Sequence, residues 1–123
     1  DGARTFEDIE RKSVFVFIED DHVPFDEKAV QKVLMKDRAL EILRQVRDEL
    51  ASLPEISEHA IEEMLRRLAE ARQVGLGKVA QPLRVALCGT TISLPIFDSV
   101  NLLGRERTLK RIDLTLERFK AHG

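Results

Sequence analysis

One segment limits the fold before any other is read. Ala39, Leu40, Leu43, Val46, Leu50 and Leu53 recur at three- and four-residue spacing. That period lays them along one face of an α-helix. The pairs Glu41/Gln45 and Arg44/Asp48 fall on the opposite face, and Pro54 stops the helix. An amphipathic helix must bury its stripe against a sheet or other helices. No pair of strand-like runs is present to build a sheet. Val14–Ile18 is apolar all round and reads equally as helix or strand, but a lone strand has nothing to pair with. The chain is therefore expected to be all-α, with about seven helices.

The other helices follow from their punctuation. Thr5, with Asp8 three residues on, caps a helix from Phe6 to Glu19 whose buried stripe is Phe6, Ile9, Val14, Phe17 and Ile18. Residues 20–25 form a linker in which Pro24 forces Val23 out of helical geometry. Asp26 caps a helix through Met35, with Ala29, Val30, Val33 and Leu34 inward, and Lys36-Asp37 breaks the chain. Ser57 caps a fourth helix carrying Ile61, Met64, Leu65, Leu68 and Ala71, with Gly75 as its C-cap. Pro82 is placed in the first turn of a short helix that Gly89 ends. Pro95 opens another, Ile96 to Leu103, and Gly104 turns the chain. The last helix, Arg105 to His122, points Leu109, Ile112, Leu116 and Phe119 inward. It presents Arg105, Arg107, Lys110, Arg111, Arg118 and Lys120 outward.

Catalysis and metal binding find no constellation. His22, His59 and His122 are scattered and read as surface residues, and Cys88, in an apolar run, reads as core filling. No metal-ligand spacing occurs. Gly75-Leu76-Gly77-Lys78 lacks the gap and the Lys-Ser/Thr pair of a nucleotide-phosphate loop. No catalytic residue, cofactor site or metal site is assigned. No run of ~18 apolar residues spans a membrane, and no signal segment is visible. A single cysteine suits a reducing, cytoplasmic setting. The Asp1 start suggests a piece of a longer protein.

Charge is uneven. Residues 72–123 hold 9 Lys/Arg against 4 Asp/Glu, a balance of +5, so residues 1–71 carry −7 of the net −2. The basic half points to a polyanionic partner. DNA fits poorly, because no helix collects base-reading side chains. Single-stranded RNA fits better. Arg84 lies between Leu83 and Val85, and the loop beyond Gly89 brings the Ser93 hydroxyl, the Leu94 backbone and the Phe97 ring. Such groups hydrogen-bond and stack on unpaired bases. Arg84 as a packed surface residue and Phe97 as core stand as the plainer alternatives.

The residues themselves then carry a resemblance. Gly75-Leu76-Gly77-Lys78-Val79-Ala80-Gln81-Pro82-Leu83-Arg84-Val85-Ala86-Leu87-Cys88-Gly89, followed by Leu102-Leu103-Gly104-Arg105-Glu106-Arg107-Thr108-Leu109, resembles the C-terminal anticodon-binding region of bacterial glutamyl-tRNA synthetases. Arg4-Thr5-Phe6 and Phe25 to Ala29 fit the same pattern, so the likeness covers essentially the whole chain. It implies a helical cage around the anticodon loop of tRNA(Glu), with residues 1–25 as the tail of a first helical subdomain plus linker and 26–123 as the second. It assigns Arg84 as a base contact and Ser93, Leu94 and Phe97 as the surrounding loop. Leu94 departs from the family's proline, and Cys88 from its threonine. The arginine that reads the third anticodon base in strictly tRNA(Glu)-accepting members falls on Gly2. That departure implies acceptance of tRNA(Gln) as well. The resemblance implies a monomer, with ATP and magnesium handled upstream by the parent ligase. The competing reading is a helical protein-interaction module working through the acidic residues.

Overall fold

The computed structural model describes residues 14–36, 38–91 and 94–119. These residues are helical, with no strand among them. Two 3₁₀ turns, Val14–Phe17 and Asp20–His22, lead into α1, which starts as Glu27–Ala29 and widens into π turns over Val30–Leu34. Then follow α2 (Ala39–Ser52), α3 (Glu58–Arg72), α4 (Leu76–Cys88) and α5 (Ile96–Phe119). Five helices thus replace the expected seven or so. The segment foreseen as helix to Glu19 forms only a 3₁₀ turn over Val14–Phe17, and its start lies outside the described residues. The two helices foreseen around Gly104 are both present and meet at that residue, and are described together as α5. Gly104 takes φ 84° and ψ 165°, a conformation essentially confined to glycine, so it kinks the helix.

The caps show why the elements begin where they do. Asp26 Oδ2 accepts from the Ala29 N–H at 3.2 Å, and Ser57 Oγ from the Ala60 N–H at 3.1 Å. α3 is closed by Gln73 in the left-handed region (φ 57°), not by Gly75. Gly75 is extended and starts α4 instead. Pro82 consequently sits in the middle of α4 rather than in its first turn. A proline there cannot donate to the Lys78 carbonyl and costs on the order of 3 kcal/mol, offset in part by burial of its ring.

α4 is the axis of the fold. It packs against α2, α3 and α5, and buries Val79, Leu83, Val85 and Leu87 completely. Each such side chain contributes roughly 1.5–3 kcal/mol of hydrophobic stabilisation. Leu43, Val46, Leu50, Ile61, Met64, Val100 and Ile112 complete one continuous core that also takes in Phe15. The helical period located most of these residues. It missed Ile42 and Ala69, which are buried, and placed Ala71 inward where it is exposed. Phe17, assigned to a buried stripe, is 85% exposed, and its neighbour Phe15 takes the core position. The tip of α4 meets the linker closely. Gly89 takes φ 79°, its carbonyl accepts from the Asp26 N–H at 2.7 Å, and a Cβ on it would collide with the Pro24 carbonyl.

Of the basic face expected on the last helix, Lys110 and Arg118 stay exposed, while Arg105, Arg107 and Arg111 are turned toward the protein. Arg111 is 1% exposed. Its Nε donates to Asp20 Oδ1 at 2.6 Å, and its two terminal nitrogens donate to the carbonyls of Leu87, Phe15 and Ile18 at 2.6–2.9 Å. Arg107 donates to Asp20 as well, at 3.1 Å, and to the Val16 and Ile18 carbonyls at 2.8 and 2.9 Å. Arg105 donates at 3.3 Å to the Leu50 and Ala51 carbonyls at the C-terminus of α2, where a cation also meets the negative end of the helix dipole. Arg118 lies over the Phe25 ring at 5.0 Å. Burial works to raise the Asp20 pKa, but the Arg111 hydrogen bond and the charges of Arg107 and Arg111 prevail and hold it below the ordinary value. Lys120 lies outside the described residues.

Candidate nucleic-acid interface

α4 is buried on most sides and keeps one face partly open. Lys78, Gln81 and Arg84 succeed one another at three-residue spacing along that face. Lys78 is exposed, while Gln81 and Arg84 are half-buried. Gln81 Oε1 and Arg84 Nε are both shut off from solvent, and neither has a hydrogen-bond partner. Leaving a buried donor or acceptor unpaired costs about 1–3 kcal/mol each, and native proteins rarely accept it without a reason. Here an acceptor and a donor lie one turn apart on one helix face. A ligand carrying both complementary groups satisfies them together.

Leu94 and Phe97 stand at the entry to α5, which packs beside α4. Both are half-buried against the core. Ser99 Oγ donates to the Leu94 carbonyl at 3.3 Å and holds that turn. Phe97 is thus packed against the core without being fully enclosed. Ser93 and Gly2 lie outside the described residues.

A cleft of about 430 Å³ opens where α1 approaches the start of α4. Lys32 and Lys36 line it from one side, and Gly77, Lys78, Gln81 and Pro82 from the other. Sequence reasoning passed over both Gln81 and these lysines. The signal for Gln81 is its position one turn before Arg84. For the lysines it is the four-residue step Lys28, Lys32, Lys36, which lines up cations along one helix.

The remaining polar groups are structural. Arg72 reaches from α3 to Glu41 at 2.8 Å and Gln45 at 2.6 Å on α2. Its hydrogen bond and charge lower the Glu41 pKa. Among the described residues, Glu19, Asp21 and His22 are close enough to share a metal ion, but all three are exposed and form an ordinary solvated cluster. His59 is exposed and Cys88 is buried, as the sequence suggested, while His122 lies outside the described residues. Among the described residues no helix is long and apolar enough to cross a membrane.

The architecture is all-helical among the described residues, with α4 at its centre and one face of α4 partly open. Residues 1–116 match the family model "Anticodon binding domain", and the chain belongs to that family. The curated relatives it resembles are glutamate–tRNA ligases. The one from Myxococcus xanthus (strain DK1622) is 42% identical over 116 residues, which cover 94% of this chain and 24% of the relative. That from Anaeromyxobacter sp. (strain K) is 47% identical over 94 residues, 76% of this chain and 20% of the relative. A crystal structure of a glutamate tRNA ligase from Elizabethkingia meningosepticum superposes with a TM-score of 0.79 at 31% identity, covering 90% of this chain and 21% of that one. The chain thus spans about a quarter of the length of such relatives. The resemblance drawn from the sequence motifs holds.

Proposed function

We propose that this chain is the part of a glutamate–tRNA ligase that holds the anticodon loop of tRNA(Glu). The observation carrying this reading is the pair of buried, unpaired polar atoms on α4, Arg84 Nε and Gln81 Oε1. An unstacked base offers donors and acceptors on its edge, so one base or two neighbours can satisfy both. Phe97 gives a partly open ring for stacking, and the family resemblance sets Ser93 and Leu94 around the bases. The chain binds and orients the RNA. Activation of glutamate with ATP and magnesium belongs to the remainder of the ligase. Binding energy gathered here serves to place the acceptor end of the tRNA for reaction.

The third anticodon position is open. With Gly2 where stricter relatives of this type carry an arginine, tRNA(Gln) is accepted beside tRNA(Glu). A base-contacting arginine gives roughly 1–3 kcal/mol of discrimination, so its absence brings the two affinities within a factor of about ten. The test is titration of the chain with anticodon stem-loops of both tRNAs, read by backbone amide shifts. Shifts gathered on Arg84, Ser93 and Phe97 are expected, and Arg84→Ala should weaken binding by about 1–3 kcal/mol with the thermal melt unchanged. Shifts confined to the acidic residues of the N-terminal half, or none, would instead favour a protein-interaction module. A strong preference for the tRNA(Glu) loop would remove the dual-specificity part alone.

A further inference from the structure

Many of the arginines of this molecule are already engaged by the protein itself. Arg47, Arg66, Arg67, Arg72, Arg107 and Arg111 are held by carboxylates of the protein. Arg105 is held by helix carbonyls and Arg118 lies over an aromatic ring. Lys32 and Lys36 differ. Both are exposed, and among the described residues neither forms an ion pair. Both face the same cleft of about 430 Å³.

The opposite wall of that cleft is unusual for a surface groove. Gly77 lines it, and a Cβ there would meet nothing within 4 Å, so the backbone at the start of α4 lies bare. The helix begins at Gly75 with no side-chain cap, and of its first N–H groups that of Lys78 bonds the Gly75 carbonyl at 3.0 Å. Deeper along the same wall is Gln81, whose Oε1 is buried and has no partner. Pro82 supplies an apolar surface beside it. The cleft therefore offers positive charge at its mouth and an acceptor with an apolar wall inside. A phosphate meets the first, and the hydroxyl or N–H donor of the nucleotide carrying that phosphate meets the second. Among the described residues no carboxylate lines the cleft.

We infer that this cleft, flanked by Lys32 and Lys36, is a second RNA subsite that grips a backbone phosphate of the RNA whose bases α4 reads. The inference rests on the reading of α4 as an RNA-facing helix. It assigns different work to neighbouring residues. Arg84 contacts a base and so affects which sequence binds. Lys32 and Lys36 contact phosphate and so affect every sequence alike. Gln81 lies between the two and ties the phosphate site to the base site.

Salt dependence separates the two roles. Each phosphate neutralised on single-stranded RNA adds about 0.7 to the slope of log affinity against log salt. The experiment measures binding of a fluorescent tRNA(Glu) anticodon stem-loop to the chain between 50 and 200 mM salt, as ~50 and ~200 mM bracket the usual working range. The variants are Lys32→Gln/Lys36→Gln, Lys32→Glu/Lys36→Glu and Arg84→Ala. For the double glutamine variant the slope should fall by about 0.7, the share of one phosphate, and affinity at low salt should fall several-fold. Stem-loops of altered anticodon should lose the same factor. Arg84→Ala should leave the slope within about 0.3 of the parent, because it removes a base contact rather than a phosphate contact. Both lysines are exposed, so the melts of the lysine variants should match the parent. If the charge-reversed pair perturbs folding, the glutamine pair alone decides. Binding by the parent with an unchanged slope in the glutamine pair overturns the phosphate site and leaves the α4 reading intact. Failure of the parent chain to bind the stem-loop overturns both.

Discussion

Arg111 and Lys32 carry the same charge and do opposite work. Arg111 sits at the centre of the molecule and gives its donors to Asp20 and to the carbonyls of Phe15, Ile18 and Leu87. Lys32 sits at the edge of a cleft with no internal partner among the described residues. The difference shows that a basic half of a sequence is no map of a basic surface. The C-terminal half carries the excess positive charge, yet four of its arginines fasten α5 to the linker, to α2 and to an aromatic ring. The two lysines at the mouth of the cleft, by contrast, stand in the N-terminal half, which is acidic in sum.

The comparison can be broken most directly at its buried end. Arg111→Ala leaves the Asp20 carboxylate and the Ile18 carbonyl to Arg107 alone and takes the guanidinium from the Phe15 and Leu87 carbonyls, and breaking such a buried pair costs about 3–5 kcal/mol. Urea unfolding should show that loss. A change below about 1 kcal/mol would mean that solvent reaches the site and that the contrast with Lys32 is overstated. Gly89→Ala comes next. It forces a side chain into the left-handed region against the Pro24 carbonyl, and strain of this kind costs on the order of 1–3 kcal/mol before the collision is counted. An unchanged melt would show that the linker moves aside freely.

Acid gives a third, smaller effect with a defined sign. The folded pKa of Asp20 lies below its unfolded value. Its ion pairing therefore contributes stability that is fully present above the unfolded carboxylate range. That contribution fades as the pH falls through the folded pKa. Asp20→Asn should lower stability at neutral pH and flatten the part of the acid profile below about pH 4. A parallel profile in the variant would assign the acid transition to other carboxylates. At the weak end stands the exposed pair Arg66–Glu62, 2.8 Å apart on α3. Arg66→Ala should change stability by less than about 0.5 kcal/mol, and a larger loss would show that surface ion pairs here resemble the buried one.

Much of the helical frame was legible because local chemistry decides it. The caps at Asp26 and Ser57, the stop at Gly89 and the turn at Gly104 all follow from what those residues do to the nearest few bonds. The misreadings share another cause. Gly75 and Gln73 compete to end α3, and Gln73 prevails by adopting φ 57°, which no local rule favours for glutamine. Once Gly75 was taken as a stop, Pro82 looked like a beginning. Arg111 was unreadable from its neighbours because the carbonyls that receive it lie on residues 15 and 18, far away in the chain. Arg84 was found through its motif. Gln81 stands in the same motif, but only its burial without a partner singles it out.

The crossing of Pro24–Asp26 over Gly89 also says something about the order in which the molecule assembles. The receiving carbonyl exists in place only after α4 has closed at its C-terminus. Contacts between residues so far apart in sequence form late, because the loop between them must be closed first. The helical hairpins of α2, α3 and α4 then make the nucleus, and residues 14–26 settle onto it last. Under that order Arg111→Ala and Gly89→Ala accelerate unfolding and leave the folding rate nearly untouched. The stretch over residues 14–26 is thus also the first part to let go.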